Sequence, residues 1–231
     1  MRSIVATLTL ASARGMVSVP GSLPLGPLLG SAPLILGSGS ATRKAILDEL
    51  GLTFEVCKPG IDEKAIRYDD PEQLVMALGK AKAAALLEGD QVGAFKQQEA
   101  LILTADQVVV CGDKILEKPE SAEEARRFIN GYISTPPRTV GSCVISDPLS
   151  GQQWAAVDTA CVVFEPIPEA VIDELIKEGE IFHCAGGLMV EHPLVQPYIV
   201  RMEGSIDSIM GLRKDTVLRL LGEASAAREQ Q

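Results

Sequence analysis

The run ALILTADQVVV, residues 100–110, decides the fold of this chain. Ile102, Leu103, Val108, Val109 and Val110 are buried-strand residues, and a run this apolar belongs at the centre of a sheet. Asp106 stands in the middle of it. An ionised carboxylate in such a place is costly unless hydrogen bonds, a cation or a task compensates it.

Working outward, PLILGSGSATRKAILDELG (33–51) reads as strand, Gly-Ser turn and helix. Ser40 or Thr42 caps that helix, Ile46, Leu47 and Leu50 form its apolar face, and Gly51 stops it. TFEVCKPG (53–60) is a second strand, followed by the acidic IDEK (61–64). DDPEQLVMALGKAKAAALLEG (69–89) is a helix with Asp70 as cap, Pro71 in the first turn and Gln73 completing a capping box. Residues 89–99 are polar and read as a surface loop.

Downstream, CGDK (111–114) turns the chain, and SAEEARRFING (121–131) is a helix with Ser121 and Glu124 as its capping box. Residues 139–167 read as a β-hairpin closed at Asp147–Gly151. PEAVIDELIKEG (168–179) and DTVLRLLGEA (215–224) are further helices, and the end of the chain is expected to fray over 224–231. Mixing hairpins with helix-linked strands gives an α/β protein: a mixed, twisted β-sheet with flanking helices.

Composition limits the function. The 231 residues suffice for one α/β domain, expected over 33–223. The net charge of −10 argues against a nucleic-acid polymer as partner, because such binders need a basic face. Cys57, Cys111, Cys143, Cys161 and Cys184 are scattered and read as free thiols. His183 and His192 lack the neighbours of a zinc site. Residues 1–33 contain no acid, carry Arg2 and Arg14, and are broken by Pro24 and Pro27. Residues 1–32 therefore read as an unstructured extension or a transit peptide, not a membrane span. The protein is expected in the cytoplasm, or in a chloroplast or mitochondrion if the extension is a transit peptide.

SGSATRK (38–44) brings hydroxyls, free backbone N–H groups and Arg43 to a strand-to-helix turn, a combination that binds phosphate, although its spacing is not that of a Walker A loop. Asp62 and Glu63 follow a strand end, Lys82 lies at the edge of a buried helical stripe, and Lys118 precedes a proline. Each has an ordinary use as well: a capping serine, a solvated acidic turn, a snorkelling or surface lysine. Asp106 fits an ordinary use least. Taken together, two carboxylates and several cations are what triphosphate hydrolysis needs.

These segments, in this order, resemble the Maf family of nucleoside triphosphate pyrophosphatases. The matching stretches are SGSATRKAIL, IDEK, LGKAKAAAL, TADQVVV, LEKP, AGGLMVE and GSIDSIMGL, from Pro33 to about Gly222. The resemblance implies a Maf/ITPase-like fold with two lobes around a nucleotide cleft. It implies hydrolysis of a nucleoside triphosphate to monophosphate and pyrophosphate, with Mg²⁺ or Mn²⁺ as cofactor and a homodimer as the assembly. It makes Asp106 the proton acceptor, Glu63 and Asp106 the metal carboxylates, and Ser38, Ser40, Arg43, Lys82 and Lys118 the phosphate cradle. A nucleotide-binding regulator linked to cell division, without turnover, is the alternative.

The chain departs from the pyrimidine-preferring branch, which has Pro-Arg-Arg at Ala41–Arg43, Thr at Gln107 and Gln at Glu191. The branch acting on 7-methylguanosine triphosphate resembles it at Gln107 and Glu191 but has Trp at Thr42. A guanine edge offers adjacent donors, which a carboxylate accepts, so Gln107 and Glu191 are the candidate base contacts and a modified purine the expected base; Thr42 is a candidate substrate-binding residue without an aromatic stacking face.

Overall fold

A computed structural model describes residues 32–230. The extension expected over 1–32 therefore lies outside the described residues but for its last position. Seven strands form one sheet: β1 (Leu34–Gly37), β2 (Phe54–Val56), β3 (Leu101–Cys111), β4 (Lys114–Leu116), β5 (Arg138–Ser146), β6 (Gln153–Phe164) and β7 (Ile199–Glu203). The order is β2-β1-β3-β5-β6-β7, with β4 paired to β3. The β2–β1 and β1–β3 ladders are parallel and the rest antiparallel, so the sheet is mixed, as expected.

Helices cover both faces. Towards one face, α1 (Ala41–Glu49) and the terminal α7 (Lys214–Glu229) pack Ile46, Leu47, Val217, Leu220 and Leu221 on Leu34, Leu36, Leu101 and Leu103. Towards the other, α2 (Pro71–Glu88) sets Leu74, Val75 and Leu78 against Val108, Val110 and Val140. The second lobe gathers α4 (Ala122–Gly131) and α5 (Glu169–Glu178) around Tyr132, Val162, Ile172 and Leu175. No helix among the described residues is long and apolar enough to cross a membrane.

The register of β3 answers why a carboxylate stands in its middle. β5 pairs with residues 102–110 along one edge of β3. Along the other edge, β1 pairs with 101–104 and β4 with 109–111. The two neighbours part between them, and residues 105–108 face the opening. The cleft between the lobes starts at this gap, so Asp106 lies within a core strand yet borders a cavity.

Three local expectations are corrected. Residues 92–97 form a short helix, α3 (Val92–Gln97), because Phe95 is buried against Ile35, Leu86 and Ile102 and anchors an otherwise polar segment. Asp70 caps α2 through the Glu72 amide rather than through a box with Gln73. The C-terminus is helical to Glu229 instead of fraying from 224. There Arg228 Nη2 lies 2.6 Å from Asp147 Oδ1, and its Nη1 donates to the Glu99 carbonyl at 2.6 Å. Asp147 is buried at the hairpin turn, a partner that local sequence does not reveal.

Candidate active site

A cavity of about 950 Å³ occupies the cleft, and every candidate residue read from the sequence lines it: Ser38, Ser40, Thr42, Arg43, Glu63, Lys82, Asp106, Gln107, Lys118 and Glu191. The turn after β1 forms its first wall. Ser40 caps α1, its Oγ accepting from the Arg43 amide and meeting Thr42 Oγ1 at 2.8 Å. Ser38 is buried, and its Oγ accepts from the Ser40 amide at 3.2 Å. Arg43 donates from Nη1 to Ser38 Oγ and to the Ala105 carbonyl at 3.0 Å, and from Nε to the Gly211 carbonyl at 3.1 Å. Three of its five donors thus tie the turn to the open edge of β3 and to the late Gly-Leu element. Burial lowers the pKa of this guanidinium, while Asp106 and Glu63 act to raise it.

The centre of the site is an ammonium between two carboxylates. Lys82 Nζ lies 2.5 Å from Asp106 Oδ1 and 2.9 Å from Glu63 Oε1. Lys82 and Asp106 are buried, whereas the Glu63 side chain is 57% exposed. Such a cation offsets the cost of burying the Asp106 charge. Backbone packing puts it there. Ser142 Oγ, opposite Asp106 on β5, accepts from the Asp106 amide and donates to the Val75 carbonyl of α2. Thr104 Oγ1 donates to the Gly79 carbonyl at 2.8 Å. Gly79 lets α2 lie this close, for a Cβ there would stand 2.7 Å from Ser142 Oγ. Lys82, three residues further along the helix, then falls over Asp106. Asp62 caps the short turn Glu63–Ala65 by accepting from the Lys64 amide, which orients Glu63.

The other end of the cavity is apolar and rimmed by acceptors. Phe182, Ala185, Leu188, Ile209 and Met210 line it beside Gln107 and Glu191. Gln107 projects from the β3 face opposite to Asp106. Its Nε2 donates to the carbonyls of Ser208 and Ile209 at 2.9 and 3.0 Å. The amide is thereby held with its Oε1 as the remaining polar atom, an acceptor. Glu191 is half-buried on a loop pinned by its neighbour: His192 Nε2 meets Glu178 at 2.9 Å and its Nδ1 accepts from the Leu194 amide. Burial, with Glu191 nearby, pushes the Cys184 thiol up to about 11, so it stays neutral. Gly186 turns this wall with φ of 62°. Its carbonyl accepts from buried Tyr132 Oη at 2.5 Å and its amide donates to the Glu117 carbonyl, which joins the Ala-Gly-Gly element to the Lys118 turn. Lys118 itself is exposed at the mouth.

Lys58, Lys64 and Arg67 also line the cavity. Sequence reasoning missed them, although their place around the acidic IDEK was a usable signal. The apolar wall was missed because its residues come from two separate segments, 182–188 and 209–210.

The site suits a metal only in one form. Among the described residues, no group of three or more His, Cys, Asp or Glu stands together as a metal cage. Glu63 and Asp106 are two carboxylates within reach of one ammonium. Mg²⁺ is usually held by one or two carboxylates with substrate phosphates and water, so the donor set fits an ion that arrives with a triphosphate.

The Maf-like protein family profile matches residues 33–224. A 7-methyl-GTP pyrophosphatase of Dictyostelium discoideum is 37% identical over 196 residues, covering 84% of this chain and 98% of the relative. A second 7-methyl-GTP pyrophosphatase, from Idiomarina loihiensis, is 35% identical over 69% of this chain and 78% of its own. A dTTP/UTP pyrophosphatase of Vibrio parahaemolyticus is 31% identical over 79% of this chain and 92% of its own.

Proposed function

The chain belongs to the Maf-like protein family, and from that premise we propose that its cleft hydrolyses nucleoside triphosphates at the α-phosphate, giving nucleoside monophosphate and pyrophosphate. The observation that carries this reading is the buried contact of Lys82 with Asp106, completed by Glu63 and set at the gap in the β3 edge beside a phosphate-type turn.

Asp106 accepts the proton of the attacking water as its oxygen bonds to the α-phosphorus. The bond from that phosphorus to the bridging oxygen breaks, and pyrophosphate leaves. Lys82 holds Asp106 in place and faces the charge that gathers on the phosphate. Ser38, Ser40 and Arg43 hold the phosphates from the turn, and Lys118 from the opposite side of the mouth. Mg²⁺ or Mn²⁺, held by Glu63 and Asp106, would supply charge neutralisation and a lowered pKa for water.

For the base, the reading is a purine of the 7-methylguanine type. Gln107 offers only an acceptor, and Glu191 is a second one. Adjacent donors of a guanine edge suit both, and a positive ring suits the carboxylate further. The relative that is 37% identical is named for such a substrate. Thr42 has no aromatic ring and so gives no stacking face, and its hydroxyl meets Ser40 Oγ. A homodimer is proposed on the family resemblance, with a place in the cytoplasm, or in a chloroplast or mitochondrion if residues 1–32 are a transit peptide; the net charge of −10 speaks against a nucleic-acid polymer.

The test is a panel of canonical and 7-methylated triphosphates with Mg²⁺ or Mn²⁺, reading pyrophosphate and orthophosphate separately. Monophosphate and pyrophosphate are expected. Diphosphate and orthophosphate would contradict the reading.

A further inference from the structure

We infer that Lys58 is a further substrate-binding residue of this cleft, gripping the β- and γ-phosphates that leave as pyrophosphate. The inference rests on the pyrophosphatase reading and adds a residue to it.

The cations around the cavity differ in how far they are already matched. Lys82 is held by Asp106 and Glu63, and Arg43 by Ser38 and two carbonyls. Lys64 and Arg67 meet Glu120 and Glu117 in exposed pairs at 3.9 and 3.4 Å. Lys58, like Lys118 on the Lys-Pro turn, makes neither a hydrogen bond nor an ion pair to another described residue, yet it lines the cavity.

Its position is specific. The Lys58 stem lies across Gly39, where a Cβ would stand 3.0 Å from its Cε and 3.6 Å from its Nζ. Gly39 lies in the turn between Ser38 and the cap residue Ser40. The absence of a side chain there makes room for the lysine, and the ammonium ends beside Gly39 in the turn that opens α1. An ammonium and the positive end of a helix repel each other mildly, and an anion placed between them satisfies both. This gives Gly39 a purpose that turn geometry alone does not, since its backbone has no positive φ.

Burial sets which phosphate it is. Ser38 and Asp106 are buried, and Lys58 is exposed. With the α-phosphorus at Asp106, the polyphosphate runs outward past Ser38, and its terminal groups reach Lys58.

The experiment is calorimetric titration of the full chain with inorganic pyrophosphate and with nucleoside monophosphate, for wild type, Lys58→Met, Lys58→Arg and Gly39→Ala. Methionine keeps the stem and removes the charge. Lys58→Met is expected to weaken pyrophosphate binding by about tenfold, the scale of a charge-assisted contact to phosphate. Monophosphate binding should stay unchanged, and arginine should recover most of the loss. Gly39→Ala, which pushes the stem aside, should act like Lys58→Met. Unchanged pyrophosphate binding in Lys58→Met, or an equal loss for both ligands, would overturn the assignment. A wild-type chain that binds pyrophosphate through Lys58 but hydrolyses no triphosphate would instead overturn the reaction and leave the anion contact standing.

Discussion

Lys82 Nζ lies 2.5 Å from Asp106 Oδ1, with both side chains buried. Neither group could be held there alone without a large desolvation penalty, so each makes the other's burial tolerable. Glu63, 2.9 Å from the same ammonium but largely exposed, is the partner that can move. The pair is therefore part of the fold and of the site at once.

Substitutions on the two sides of this pair should be unequal in stability. Asp106→Asn leaves Lys82 with Glu63. Lys82→Met leaves Asp106 buried with no cation in contact, which costs about 3 kcal/mol. Combining the two should recover most of that loss. Denaturant titrations of the three variants test this, and a double variant as unstable as the summed singles would contradict it.

Turnover should fall with Asp106→Asn by about 10²-fold or more, the scale of a positioned general base. Steady-state kinetics at saturating triphosphate, with a near-UV spectrum to check packing, give the answer. Near-wild-type turnover would remove Asp106 from the chemistry.

Base choice should follow Glu191. Glu191→Gln sets a donor against the guanine donors and creates a match for uracil or thymine. The ratio of kcat/KM values should shift towards UTP and dTTP by about tenfold, the effect of about 1.4 kcal/mol. An unchanged ratio would make Glu191 a solvated loop residue and remove the physical basis for purine preference.

At acid pH, stability should depend on Asp147. Burial raises its pKa, but hydrogen bonds from Arg228, the Leu149 amide and Ser150 outweigh it and hold the carboxyl below its ordinary range. A carboxylate whose folded pKa is depressed contributes stability above its unfolded value and loses it as pH falls through the folded one. The contribution is thus complete at neutral pH and is lost progressively as pH falls below the unfolded value of about 4 and through the folded one. Asp147→Asn should lose about 1–3 kcal/mol at pH 7 and show a shallower fall in stability from pH 5 to 2. Parallel pH profiles for the two proteins would show that the contact with Arg228 is not linked to folding.

Much of this was legible in sequence, for definite reasons. The carboxylate in β3, the Ser40 cap, the Asp147–Gly151 hairpin and the helix ending at Gly179 are written in local pattern, and the structure has each of them. The Phe95 helix was hidden because one buried aromatic in a polar segment gives no period. The helical C-terminus was hidden because Arg228 is held by Asp147 across the fold. In the site, Arg43, Glu63, Lys82, Asp106 and Lys118 announced themselves by chemistry, whereas Lys58, Lys64 and Arg67 did not. The fixed amide of Gln107 did not either, since its two carbonyl partners come from the short helix α6 (Ile206–Ile209), a contact made only by tertiary packing.

The phosphorus attacked is identified by the fate of oxygen during turnover in ¹⁸O-labelled water, read by mass spectrometry of the separated products. Attack at the α-phosphorus beside Asp106 puts the label in the nucleoside monophosphate and leaves pyrophosphate unlabelled. Label in pyrophosphate, or in orthophosphate released with a diphosphate, would place the attack at another phosphorus and contradict the role assigned to Asp106 and Lys82.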